Sequence, residues 1–539
     1  MILSNGRRGL SVFLIRLAAV AAASLLFAGA FPNLLFKNGL PFLAWIAYVP
    51  VFWLISQVSL GASVFWGALY GYAAYGLFNY WLSVFHPLAG LIVGFIYLAY
   101  FAILFPLLKA AVLFFPKRGY VLQWLLWISF EYLRTQGFLG YAYGITGYSQ
   151  WEVLPLIQIA ALCGVWGVSA LVVFPSVYIA AALKDSRRPT ARAFFRDTPA
   201  ALLWGCGLIG ALIYGFASPI DYASAPRARI ALIQHNTDPW RGGIAEYRKN
   251  YEVLKRLSEE ALAEKPPPDL VVWSETAFVP RIYWHITYRD DPPSYALVKE
   301  LLDYLARQEV PFVIGNDDAR LEVNEGGVWE RVDYNGVLLF DRGEIAGLYR
   351  KLHLVPFTEH FPYQKQLPWV YDALINADTH FWKKGKEAAV FENRGLKFSS
   401  PICFEDTFGY LARDFVKNGA EFLVNLSNDA WSKSLPAQMQ HLSMAVFRTV
   451  ENRRSMVRST ASGQTCAIDP NGKILAMAEP FTEAHLTVEI PIVTPSALYT
   501  QYGDFLPRLC TAAALFMLLM GVFLHIIKSN QKGRNHESA

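Results

Sequence analysis

The chain is short of charge. Asp, Glu, Lys and Arg make up 17% of its 539 residues while 54% are hydrophobic, against about 25% and about 45–50% in an ordinary soluble domain. It is also poor in metal-binding side chains, with five cysteines, ten histidines, no CxxC and no Cys/His cluster at zinc spacing. Cys163, Cys206 and Cys510 lie in apolar segments, where a thiol behaves as a small hydrophobe. A disulfide framework and a structural metal therefore lack support, and no metal or cofactor is expected. The net charge of +5 is small, and no basic stripe is interleaved with aromatics, so a nucleic-acid partner is excluded. The apolar content excludes disorder.

What is present is unevenly spread. Only Arg16, Lys37, Lys109, Lys117, Arg118, Glu131, Arg134 and Glu152 are charged between Gly9 and Leu183, and none between Asn38 and Leu108. Charge returns from about Lys184 to Asp504, and one more apolar run follows. A membrane span needs about 20 apolar residues. Seven candidates lie near 10–31, 39–56, 60–84, 88–115, 119–134, 160–183 and 200–217, with an eighth near 507–527. The domain plan is then a membrane block over 1–220, a charged domain over 221–505, a closing span at 506–528 and a tail at 529–539.

Lys and Arg concentrate in cytoplasmic loops. Arg7, Arg8, Lys117, Arg118, Lys184, Arg187, Arg188, Arg192, Arg196, Lys528, Lys532 and Arg534 all fall inside on this plan, and only Lys37 does not. The 221–505 domain is placed outside. If the first segment were instead a signal peptide cut near Ala28-Gly29-Ala30, six spans and an outside start give the same side. The aromatic stretch 135–152 reads as an interfacial belt, or as a wall of a lipid-accessible chamber.

From Ala228 the pattern is that of an α/β domain. Strands are expected at Arg229–Gln234, Leu270–Trp273, Pro311–Ile314, Tyr334–Phe340, Ile345–Arg350, Leu396–Phe404, Phe422–Asn425, Ser455–Asp469 and His485–Ile490. Helices are expected near 245–264, 293–308, 408–418 and 436–453. Reactive groups of such folds sit where strands end. Glu275 follows VVW, Lys351 follows GLYR, and Cys403 ends SSPIC. Together they offer a base, a cation and a nucleophile. A carboxylate can take the thiol proton, an ammonium can stabilise an oxyanion, and an acyl-thioester results. His235, His353 and His441 read as packed or surface residues.

These residues sit in WSETA, GLYRKLHLVPFTEHFP, ICFED, NLSNDAW and QHLSMAVFRTVENRRSMVRSTASG, with FEYLRTQGF, GYSQ and GVWGVS in the membrane part. The set resembles the nitrilase superfamily, with its Glu–Lys–Cys triad in an αββα sandwich. Over nearly its whole length the chain is similar to the apolipoprotein N-acyltransferase family. The resemblance implies Glu275 as general base, Lys351 as oxyanion stabiliser and Cys403 as nucleophile. It also implies supporting places for Glu359, Glu405, Trp240 and Trp431. The implied reaction moves a fatty acyl chain from a phospholipid, typically phosphatidylethanolamine, to the α-amine of a diacylglyceryl-cysteine lipoprotein. The implied setting is a multi-pass protein of the bacterial inner membrane, a monomer with its catalytic domain on the periplasmic side. Arg350, Leu352, Thr358, His360, Phe404 and Ser432 depart from the family's usual residues. A membrane-anchored amidase using water, and a lipid-binding module with a vestigial triad, are the alternatives.

Overall fold

The computed structural model describes residues 2–85, 87–184, 198–238, 242–324, 326–377 and 379–537. They divide into two units. The first comprises Met1–Ser218, Ser434–Ser443 and Asp504–Ala539, and the second Pro219–Lys433 and Met444–Gly503.

In the first unit, five helices among the described residues are long and apolar enough to cross a membrane: Gly9–Ala30, Ala89–Phe114, Val165–Lys184, Thr198–Ala217 and Phe505–Gln531. The expected count of about eight spans is not reached on length and composition. Segment 39–56 folds as a 3-10 turn, Pro41–Trp45, followed by the nine-residue helix Val49–Gln57. Segment 60–84 breaks after Leu60–Phe78, and 119–134 forms Gly119–Leu133. Segment 160–183 is interrupted at Gly164, whose φ of 68° ends the short turn Ala160–Cys163 before Val165–Lys184 begins. The helix Leu60–Phe78 lies against Pro87–Phe114 through small residues, as membrane helices do. A Cβ on Gly71 would fall 2.2 Å from the Tyr97 carbonyl oxygen.

The aromatic stretch 135–152 departs from the belt expectation. Tyr143, Tyr148 and Trp151 are buried within this unit. The cause is the pair of charges at the end of Gly119–Leu133. Glu131 accepts the Thr146 backbone N–H at 3.0 Å, and Arg134 donates to the carbonyls of Tyr141 and Tyr143 at 2.8 and 2.9 Å. The loop is thereby folded inward, with Arg134 also lying over the Tyr75 and Tyr97 rings. His441 packs near Tyr143 in the same unit.

The second unit carries two six-stranded sheets. In chain order the strands are β1 (Arg227–Gln234), β2 (Leu270–Trp273), β3 (Phe312–Val323), β4 (Trp329–Asp341), β5 (Glu344–Arg350), β6 (Phe391–Asn393), β7 (Leu396–Ser399), β8 (Phe422–Ser427), β9 (Ser455–Thr460), β10 (Cys466–Ile468), β11 (Ile474–Met477) and β12 (Ala484–Pro491). One sheet runs β12-β1-β2-β3-β4-β5 and the other β11-β10-β9-β8-β7-β6. Helices Gly243–Leu262 and Pro292–Leu305 bury Tyr251, Leu254, Leu297 and Leu301 against Ile233, Val271, Trp273 and Phe312 of the first sheet. The other face of that sheet meets the second sheet, where the small buried Ser459 of β9 reaches the carbonyls of Ile233 and Val272 at 3.2 and 3.1 Å. This is the expected αββα layering.

Two expected strands are corrected. Leu396–Phe404 stops at Ser399, because Pro401 cannot donate to a ladder and the Ile402 N–H is taken by the Glu405 carboxylate at 2.8 Å. Ser455–Asp469 is two strands, β9 and β10, parted by the turn Ala461–Thr465.

Candidate active site

Glu275 stands two residues beyond β2, on a loop pressed against β3. The close approach requires glycine: a Cβ on Gly315 would lie 2.3 Å from the Ser274 carbonyl oxygen and 2.6 Å from the Thr276 nitrogen. Thr276 itself holds φ at 45°, the left-handed region that costs a non-glycine residue energy and recurs at functional sites. Both carboxylate oxygens are engaged. Oε1 accepts from Asn335 Nδ2 at 2.9 Å, and Oε2 from the Asn428 backbone N–H at 2.9 Å.

Lys351 is the first residue past β5 and is fully buried. Its backbone N–H donates to the Asn335 carbonyl at 2.9 Å, and its carbonyl accepts from Gly385 at 2.8 Å. Its ammonium donates to Glu359 Oε1 at 2.8 Å and Glu275 Oε1 at 3.3 Å. Burial alone would favour the neutral amine. The carboxylates of Glu359 and Glu275 outweigh it and hold the lysine pKa above its usual range. Glu359 is pushed up by burial, with Lys351 opposing, and its Oε2 accepts from Val355 N at 2.8 Å.

Cys403 opens the 3-10 turn Cys403–Thr407 with φ at 47°. Asn425 of β8 fixes that turn by donating to the carbonyls of Pro401 and Cys403 at 3.2 and 3.3 Å. Burial and the nearby Glu275 raise the thiol pKa, while Lys351 pulls it down. The resting group is therefore a thiol, and its proton must leave as the new bond forms. Ser427 is within hydrogen-bonding reach of the sulfur and donates to Asp429 at 3.0 Å. Behind it the fully buried Arg458 pairs with Asp406 and lies 3.7 Å from Asp429.

Glu405 does not share the reacting space. Its carboxylate accepts from four donors: the N–H groups of Leu352, His353 and Ile402 at 2.7, 2.9 and 2.8 Å, and the Tyr349 hydroxyl, which lies 2.9 and 2.8 Å from its two oxygens. It thus ties the chain after Lys351 to the chain before Cys403. Burial pushes its pKa up to about 7 against those donors.

The structure thus brings Glu275, Lys351, Cys403 and Glu359 to one place and gives Glu405 a bracing position. Trp431, partly exposed, follows the Asn428 turn. Trp240 lies outside the described residues. Among the departures, Arg350 is engaged by Asp318 at 2.6 Å and lies over the Tyr334 ring. Asn335, Asn428 and Tyr349 were not picked out from the sequence. Asn335 gave one signal, an amide inside the apolar run Tyr334–Phe340. Among the described residues no group of three or more His, Cys, Asp or Glu could hold a metal ion.

A carbon-nitrogen hydrolase family model matches residues 229–497, and a model of the apolipoprotein N-acyltransferase N-terminal domain matches residues 23–178. The chain is 44% identical to apolipoprotein N-acyltransferase 1 of Treponema denticola over 535 residues, covering 96% of this chain and 98% of the relative. It is 47% identical to apolipoprotein N-acyltransferase 1 of Treponema pallidum over 543 residues, covering 98% of each. A solved carbon-nitrogen hydrolase from Helicobacter pylori G27 aligns at 17% identity and a TM-score of 0.36, over 49% of this chain and 89% of its own.

Proposed function

The chain belongs to the apolipoprotein N-acyltransferase family, acyltransferases that carry a nitrilase-type domain, and from that premise we propose a two-step transfer through Cys403. The acyl donor is a membrane phospholipid, with phosphatidylethanolamine the preferred one. The acceptor is the α-amine of a diacylglyceryl-cysteine lipoprotein. The observation that carries the assignment is the buried ammonium of Lys351 between Glu275 and Glu359, at 3.3 and 2.8 Å, in the electrostatic field of the Cys403 thiol.

In the first step the Cys403 sulfur bonds to the ester carbonyl carbon while Glu275 takes its proton. Lys351 stabilises the negative oxygen of the tetrahedral intermediate. The carbon–oxygen bond breaks, the lysophospholipid leaves with the proton from Glu275, and the acyl chain remains as a thioester. In the second step the lipoprotein amine attacks, its proton passes through Glu275 to the departing sulfur, and an amide forms. One site serves donor and acceptor in turn.

The Lys and Arg distribution supports a cytoplasmic-membrane protein whose catalytic segment, between the spans Thr198–Ala217 and Phe505–Gln531, lies on the outer, periplasmic side. Both substrates are membrane-bound, so this location makes their encounter local. The test is intact-mass measurement after incubation with phosphatidylethanolamine vesicles alone. An acyl adduct on Cys403 is expected, discharged onto a diacylglyceryl-cysteine peptide when one is added. Discharge to free fatty acid at the same rate with and without peptide would make the chain a hydrolase. No adduct in the presence of intact Glu275 and Lys351 would overturn the assignment.

A further inference from the structure

Asp317 of β3 lies directly across from Asn335 of β4. Opposed residues of an antiparallel pair place their side chains on one face, with Cβ atoms about 4.5–5.5 Å apart. Here it is the face from which the Asn335 amide reaches Glu275. Asp317 and Asn335 are 1% and 3% exposed. Among the described residues, neither oxygen of Asp317 nor Oδ1 of Asn335 completes a hydrogen bond. Buried acceptors seldom stand unbonded, and the register sets these two side chains next to one another on one face, where Asn335 Oδ1 calls for a donor.

The surrounding charges do not supply one. Arg281 approaches Asp317 only to 4.0 Å and is bonded to Asp333 at 3.0 Å. Arg331 and His380 are likewise turned to Asp333, at 2.9 and 3.1 Å. The Trp382 indole faces Asp317 and favours its anion, as Arg281 and His380 do, while Asp333 opposes it. The cross-strand neighbour of Asn335 on this face is the carboxyl of Asp317, which becomes a donor once it carries a proton.

We propose that Asp317 is a positioning residue held as the neutral acid, which gives its O–H to Asn335 Oδ1 and so keeps the Asn335 amide aimed with Nδ2 at Glu275. Turned the other way, the amide would set an acceptor against the carboxylate and push it off its line to Cys403. Loss of solvation raises the Asp317 carboxyl to about 7, in keeping with this form. The inference rests on Glu275 as the base of the proposed reaction.

The test uses the full-length protein in lipid vesicles. Asp317→Asn stays neutral at every pH and keeps an N–H for Asn335. It retains most of kcat, and the part of the wild-type fall in kcat above pH about 7 that Asp317 causes disappears. Asp317→Ala lowers kcat by about ten- to a hundredfold with KM little changed. In the infrared difference spectrum, the carbonyl stretch of buried carboxylic acids seen in the wild type below pH about 7 loses one component in Asp317→Asn, while the component from Glu405 remains. Equal loss of activity in Asp317→Asn and Asp317→Ala would overturn the proposal, as would an infrared band unchanged by Asp317→Asn. Glu275→Gln separates the two claims. If it stays active, the base assignment fails, while the infrared band still decides whether Asp317 holds a proton.

Discussion

Lys351 and Glu275 form a buried ion pair, Nζ to Oε1 at 3.3 Å, in which the lysine is shared with Glu359 at 2.8 Å. One cation thus serves two carboxylates away from water, where an unpaired charge is costly.

Lys351→Met is expected to do more than stop transfer. It leaves Glu275 and Glu359 facing one another with no cation, and breaking a buried pair costs about 3–5 kcal/mol. Thermal unfolding of the variant in the same lipid should show that loss. A variant as stable as the wild type would mean that the shared ion pair adds no net stability to the fold.

Glu275→Gln should move the Cys403 thiol and the reaction in opposite directions. The negative charge of Glu275 raises the thiol pKa, so its removal increases the thiolate fraction, and alkylation of Cys403 by iodoacetamide at pH 8 becomes faster. Transfer nevertheless stops, because no group remains to take the proton. Slower alkylation in the variant would show that Glu275 activates the resting thiol instead.

Glu405 gives a pH dependence of stability. Its folded pKa is about 7, above the ordinary glutamate value of about 4.3. Between these values the folded chain binds more protons than the unfolded one, so stability falls as pH rises through this window and levels off above pH about 7. The drop is on the order of a few kcal/mol. Glu405→Gln should flatten the slope between pH about 4.5 and 7 in denaturation curves. An unchanged slope would assign it to another group.

Gly315→Ala adds a methyl where 2.3 Å separates its position from the Ser274 oxygen. The Glu275 loop must shift, at a cost of about 1–3 kcal/mol. Activity should fall further than stability, because Glu275 moves relative to Lys351 and Cys403. Full activity in this variant would mean that the loop adapts without displacing the carboxylate.

Chain order explains which parts of this site were legible. Glu275, Lys351 and Cys403 could be read from the sequence because each follows an apolar strand closely. Strand β2 was located to the residue. Cys403 was placed at the end of a strand that stops four residues earlier. The run SSPIC looks continuous, but the proline and the Glu405 carboxylate together remove the ladder bonds. The role of Glu405 was illegible for a related reason. Its four donors come from segments about fifty residues apart in the chain, and only the packed sandwich collects them.

The sequence by itself determined that a charge-poor block anchors this protein in a membrane and that an α/β unit carries an acid, a lysine and a thiol. Both follow from local composition and period, which need no knowledge of distant contacts. Only the tertiary structure decided that Asn335 and Asn428 hold Glu275, that Glu359 completes the lysine's pairing, and that Glu131 and Arg134 draw the stretch 135–152 inward. These are hydrogen bonds and ion pairs between residues far apart in the chain. A buried charge must find its partner wherever the fold brings one, and the residue sequence around it does not say where that will be.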